Sequence, residues 1–121
     1  MYDHHVAIVR RHWGSASAAT AIHPLYLMTT LVISPHLDDA VLSIGGSIAR
    51  WTAEGERVVV ATVYTQGPPL SEVPKRMRPF ANYERRCAED AAACDAIHAE
   101  VRWLGNVERA FRQPFPRYLG W

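Results

Sequence analysis

What this sequence lacks narrows it first. Cysteine is scarce: Cys87 and Cys94 are the two among 121 residues. Seven apart on a helical pattern, they stand about 10 Å apart along the axis, too far for a disulfide. They read as small buried hydrophobes of a reducing compartment, which places the chain in the cytoplasm. No apolar run approaches the roughly 18 residues of a membrane span, so none is expected. Neither sign of charge dominates, with 13 Lys and Arg against 12 Asp and Glu. That balance argues against a bulk basic footprint for nucleic acid and against an acidic solvating tail. Internal repeats and low-complexity tracts are absent. No Gly-x-Gly-x-x-Gly follows the first apolar run, which leaves a Rossmann-type transferase without support. Histidine stops early: His4, His5, His12 and His23 precede residue 28, and none follows His98. A chain of this length is one domain or part of one.

What remains alternates strand and helix. Residues 1–27 show no firm periodicity and read as an irregular N-terminal arm, or as residues upstream of a true start at Met28. Thr30 to Ser34 reads as a short buried strand closed by Pro35. From Asp39 to Glu54, Val41, Ile44, Ile48 and Trp51 form one helical stripe, with Gly55 as its C-terminal cap. The pair Gly45-Gly46 inside it costs about 1–2 kcal/mol of helix propensity. Close helix–sheet packing is the expected reason, and room beside a site is the alternative. Arg57 to Tyr64 is the near-continuous apolar strand of a sheet covered on both faces. Thr65 to Pro79 is a long, proline-rich loop with Lys75, Arg76 and Arg78, either solvated or facing an anionic substrate group. A second helix runs from Phe80 to His98 and a third strand from Glu100 to Leu104. The apolar residues from Phe111 to Trp121 read as an edge awaiting a partner. This order predicts an α/β fold, a Rossmann-like three-layer αβα arrangement with a parallel sheet, incomplete at the C-terminus.

Sites in open α/β sheets form outside the carboxyl ends of the strands. Ser34-Pro35-His36-Leu37-Asp38-Asp39 falls at such an end. So does Gln66-Gly67, and Glu108 closely follows the third strand. His36 and Asp39 are three apart across a turn, with Asp39 at or near the helix N-cap, so their side chains can converge on one borderline metal such as zinc. Asp38 between them is placed to act as general base on a water that the metal polarises. The plainer alternative is that an aspartate merely caps the helix and His36 is an ordinary loop histidine; the strand–loop–helix setting favours the metal. Arg86 is either a substrate contact or half of a solvated four-apart pair with Asp90. Trp51 and Trp103 read as packing residues.

Pro35-His36-Leu37-Asp38-Asp39-Ala40, followed by Gly45-Gly46, resembles the signature of the PIG-L/LmbE family of zinc-dependent N-acetylglucosaminide deacetylases, Ala/Pro-His-Pro-Asp-Asp-Glu and a later Gly-Gly. Arg86-Cys87-Ala88-Glu89 and Trp103-Leu104-Gly105-Asn106-Val107-Glu108 also look like family segments. On this resemblance residues 28–121 are the N-terminal part of such a domain. It implies His36 and Asp39 as ligands of Zn2+ or another divalent metal, Asp38 as the catalytic base, and Arg86, Glu108, Gln66 and Gly67 as substrate-binding residues. The implied reaction hydrolyses the N-acetyl group of an N-acetylglucosamine-type sugar conjugate, a small-molecule partner, to acetate and the amino sugar.

The departures are Leu37 for Pro, Ala40 for Glu, Glu108 for Asp, and the lack of the family's downstream histidine, its third ligand. His98 ends the second helix and is expected at the opposite edge of the sheet. An oligomer or a complementing C-terminal segment would then complete the site. The alternative is a catalytically inert fragment, or a non-catalytic α/β module that binds a sugar or nucleotide.

Overall fold

Runs of β-branched residues build the sheet. In the computed structural model, which describes residues 6–12 and 28–112, strand β3 (Arg57–Gln66) lies parallel to β2 (Met28–His36) on one side and to β4 (Glu100–Val107) on the other. Helix α1 (Asp39–Ala53) joins β2 to β3. Between β3 and β4 the prolines break the chain into two 3-10 turns, Leu70–Glu72 and Lys75–Met77, and a four-residue helix, α2 (Arg78–Ala81). The single helix expected from Phe80 is therefore interrupted. Asn82 starts α3 (Tyr83–Ala96) instead, its side-chain oxygen accepting the Arg85 N–H.

Within the stretch expected as an irregular arm, residues 7–12 are regular. Ala7–His12 forms strand β1, antiparallel to β2, with Ala7 opposite Ile33 and His12 opposite Met28. The sheet is thus mixed, in the order β1-β2-β3-β4. Strand β1 also makes side-chain contacts: the Arg10 guanidinium lies 4.2 Å from the centre of the Trp51 ring and 3.9 Å from the Glu56 carboxylate. The other half of that ion pair is held from β2, where the Thr30 hydroxyl donates to Glu56. His4, His5, His23 and the apolar stretch after Arg112 lie outside the described residues.

Strand side chains alternate between faces, and one face carries the core. Val32, Val58 and Val60 pack there against Ala40 and Ile48 of α1 and Cys94 of α3. Full burial of a side chain such as Ile48 contributes about 1.5–3 kcal/mol. The Thr52 hydroxyl donates to the Ile97 carbonyl at 2.8 Å, tying the two helices together over this face. Leu31, Ile33 and Val59 alternate onto the opposite face and are only partly buried. Both cysteines are free thiols, and burial pushes the Cys94 thiol up to about 11. No described helix is long and apolar enough to cross a membrane.

Packing does not explain Gly45-Gly46. A methyl group on Gly46 would meet nothing within 4 Å, and one on Gly45 would touch only Val41 of its own helix, at 3.4 Å. The pair instead follows a break in the helix at Ile44, whose φ of −134° is non-helical. Gly55 closes α1 as expected, at φ +84°.

Thr62, on the core face of β3, is fully buried, and its hydroxyl has no hydrogen-bond partner among the described residues. An orphaned buried polar group costs about 1–3 kcal/mol. Thr62→Val keeps the shape and is expected to stabilise the fold by about 1 kcal/mol, read as a higher urea midpoint. An unchanged or lower midpoint would show that the hydroxyl is satisfied after all.

Candidate active site

The carboxyl end of β2 carries the motif. The strand runs two residues beyond its sequence pattern, so His36 is its last residue rather than a loop residue. The buried Ser34 hydroxyl organises the turn into α1: it donates to the His36 carbonyl at 2.8 Å and accepts the Ala40 N–H at 3.2 Å. One of the unpaired donors of the α1 start is thereby satisfied by serine. Asp38, not Asp39, occupies the N-cap position, and its side chain makes no capping bond. The capping role that would have made these aspartates merely structural is absent from Asp38.

Asp39, the first residue of α1, turns back onto His36. Its Oδ2 accepts the His36 backbone N–H at 3.2 Å and lies 3.0 Å from Nδ1 of the imidazole. The other ring nitrogen, Nε2, lies 2.8 Å from Oε2 of Glu108. The ring tilts beside Tyr64, with centroids 5.5 Å apart.

Asp38 has a left-handed backbone, φ 71° and ψ −20°, a conformation costing most residues about 1–2 kcal/mol and aspartate less. A buried carboxylate holds it there. Asp90 Oδ1 accepts the Asp38 backbone N–H at 3.0 Å, and Oδ2 accepts the Trp103 indole N–H at 3.0 Å. Burial, then the charge of Asp90, pushes the Asp38 carboxyl above its ordinary value; Arg86 opposes the shift, and Glu89 and Asp39 add to it. A raised carboxyl is a stronger proton acceptor.

The remaining sequence-selected residues cluster around this centre. Arg86, on α3, donates to the Phe80 carbonyl at 3.3 Å and stands 5.5 Å from the Tyr83 ring. The solvated four-apart pair on this helix is Arg85–Glu89, at 2.8 Å. Gln66 is exposed, and its carbonyl accepts the Glu108 N–H at 3.0 Å. Gly67 is under close constraint: a Cβ there would lie 2.4 Å from the Tyr83 ring. Tyr83 in turn packs edge-on against Phe111, with centroids 6.3 Å apart. Burial, then the charge of Glu108, pushes its phenol up. Beside Phe111 a cavity of about 240 Å3 opens between Pro68, Val73 and Met77. His98 is exposed, just before the start of β4, at the end of the parallel strands opposite His36.

Three contributors escaped the sequence reading: Ser34, Tyr83 and Asp90. For Asp90 the signal was present. Cys87, Asp90 and Cys94 are spaced 3 and 4, which sets the carboxylate on the buried stripe of α3. Trp103 serves Asp90 through its N–H while 44% of its surface stays exposed.

An imidazole nitrogen and a carboxylate oxygen are donor types that zinc accepts. His36 Nδ1 and Asp39 Oδ2 stand at 3.0 Å, which is also the distance of an ordinary hydrogen bond when Nδ1 carries the proton. Two ligands at about 2.0–2.1 Å from one tetrahedral zinc ion stand roughly 3.3–3.4 Å apart. His36 Nδ1 and Asp39 Oδ2 stand a few tenths of an ångström closer than that, and Glu108 lies on the other ring nitrogen. Among the described residues no three His, Cys, Asp or Glu side chains are grouped so as to hold an ion.

A strand-end histidine, an aspartate that does not cap its helix and an α/β frame are the features to set beside known proteins. Residues 31–117 match the family model described as PIG-L, GlcNAc-PI de-N-acetylase, and the chain belongs to this family. It is 37% identical over 86 residues to 1D-myo-inositol 2-acetamido-2-deoxy-alpha-D-glucopyranoside deacetylase 1 of Saccharopolyspora erythraea, covering 65% of this chain and 28% of that protein. Two solved structures are similar at 36% identity over 67% of this chain. They are the zinc-inhibited form of teicoplanin deacetylase, with a TM-score of 0.59 and 34% of that chain covered, and the A40926 pseudoaglycone deacetylase, with a TM-score of 0.58 and 37% covered. The chain thus spans about a third of the length of these relatives.

Two substitutions test the supports. Asp90→Ala strands two N–H donors and is expected to lower stability by about 2–4 kcal/mol, with Asp90→Asn losing less because one acceptor remains. Gly67→Ala forces the Tyr83 ring aside and is expected to lose about 1–3 kcal/mol. Urea unfolding measures both, and wild-type midpoints would refute the corresponding contact.

Proposed function

We propose that this chain carries the metal-binding and general-base portion of a zinc-dependent de-N-acetylase site for N-acetylglucosamine-type sugar conjugates. The observation that supports this best is the 3.0 Å separation of His36 Nδ1 and Asp39 Oδ2, beside an Asp38 whose side chain makes no capping bond. Family membership and a relative named for an acetamido-sugar deacetylase support the substrate class. A relative solved in a zinc-inhibited form supports zinc as an ion that acts on such proteins.

A divalent metal bound there supplies Lewis acidity toward water and the acetamide carbonyl. The remaining steps fall to the chain's own groups. Asp38 takes a proton from the attacking water. Once protonated, it delivers that proton to the amide nitrogen as the C–N bond breaks, so that water and amide become acetate and amine. Arg86 and Gln66 face the sugar from α3 and the end of β3, and Gly67 offers backbone where Tyr83 leaves no room for a side chain. A complementing segment or second chain supplies the third metal donor. The two free thiols support a cytoplasmic setting.

A second reading, a non-catalytic sugar-binding module or inert fragment, draws on the absence of a third donor among the described residues. Zinc titration with an acetate-release assay on an N-acetylglucosaminyl inositol separates the two. With the third donor supplied by that segment or second chain, stoichiometric zinc and zinc-dependent release are expected. Asp38→Asn should keep the zinc and lower the release about 10²–10⁴-fold. Unchanged release in that variant rejects Asp38 as the base; micromolar or weaker zinc binding without release favours the second reading.

A further inference from the structure

We infer that Glu108 is a positioning residue for His36: its carboxylate holds the imidazole through Nε2–H and so turns Nδ1, with Asp39 Oδ2, toward the metal. This rests on the metal reading above and gives Glu108 a different task from the sugar contact expected of it. The two nitrogens of an imidazole are not equivalent, and the hydrogen bond made by one decides which is left to bind a metal. With Asp39 taken as the companion ligand, the contacts assign the two nitrogens. Nε2 lies 2.8 Å from Glu108 Oε2, while Nδ1 is the nitrogen beside Asp39, at 3.0 Å.

Glu108 is built to hold still. Its backbone N–H donates to the Gln66 carbonyl at 3.0 Å, anchoring it to the end of β3. Its second oxygen, Oε1, accepts the Arg109 N–H at 2.7 Å and so starts the 3-10 turn Arg109–Phe111. Three tethers, on the backbone and on both carboxylate oxygens, fix a side chain that only partly meets solvent. A carboxylate so restrained suits orienting a ring better than adapting to sugar hydroxyls. The metal pair would then be held from both sides, by Asp39 across the β2–α1 turn and by Glu108 from the β4 side.

The test is zinc affinity, measured on the 121-residue chain by competition with a chromogenic chelator, alongside 15N NMR of the zinc-loaded His36 ring. Glu108→Ala should weaken zinc about 10–100-fold and release the ring from a single Nε2–H, Nδ1-metal signature. Glu108→Gln retains an oxygen acceptor for Nε2–H, so it should stay within a few fold of wild type and keep that signature; this separates positioning from simple loss of fold. Equal zinc affinity in wild type and Glu108→Ala overturns the inference alone. Equal loss in both variants also overturns it, since charge rather than the acceptor would then be at work. A wild-type chain that takes no zinc overturns the metal reading and this inference together.

Discussion

The buried carboxylate of Asp90 is the constraint on which the site depends. It reaches from α3 to the backbone of Asp38 and to the indole of Trp103, so one side chain ties the β2–α1 turn to a helix and to β4. Hydrogen bonds to a buried charge are strong because nothing in the interior replaces them. The turn they hold is left-handed, a conformation the chain would not keep without support. Asp90 also acts at a distance: its charge helps raise the Asp38 carboxyl. Position and proton affinity of the proposed base therefore share a single origin.

A second carboxylate repeats the arrangement across the crevice. Glu108 links the end of β3, the turn after β4 and the imidazole of His36. Between these supports, Ser34 satisfies the helix start. That division of labour is what leaves two adjacent aspartates for other work. Helix starts usually claim such residues, and here a serine five residues before Asp39 does the claiming.

The frame was legible because it follows from periodicity. The apolar runs of β2 and β3 and the stripe of α1 are dictated by which faces are buried, and local pattern carries that information. The Pro-His-Leu-Asp-Asp placement at a strand end was legible for the same reason. What local pattern could not carry was pairing at long range. Strand β1 has only six residues and gains its meaning from its register with β2. The glycine pair of α1 marks a break at Ile44 rather than a packing contact, and a break depends on φ and ψ, not on residue type alone. The contact between Glu108 and His36 was not legible, because it exists only once β3 and β4 are aligned.

The left-handed turn at Asp38 also restricts how this position can change over generations. Glycine, asparagine and aspartate tolerate such a backbone; most other side chains strain it. Aspartate and asparagine codons differ by a single purine exchange. One such change would remove a proton acceptor while the turn, the Asp90 tie and the His36–Asp39 pair remain in place. On the proposed mechanism, retaining the fold and losing the reaction thus lie one nucleotide apart. Members of this lineage with asparagine at this position would be the natural place to look for sugar binding without hydrolysis.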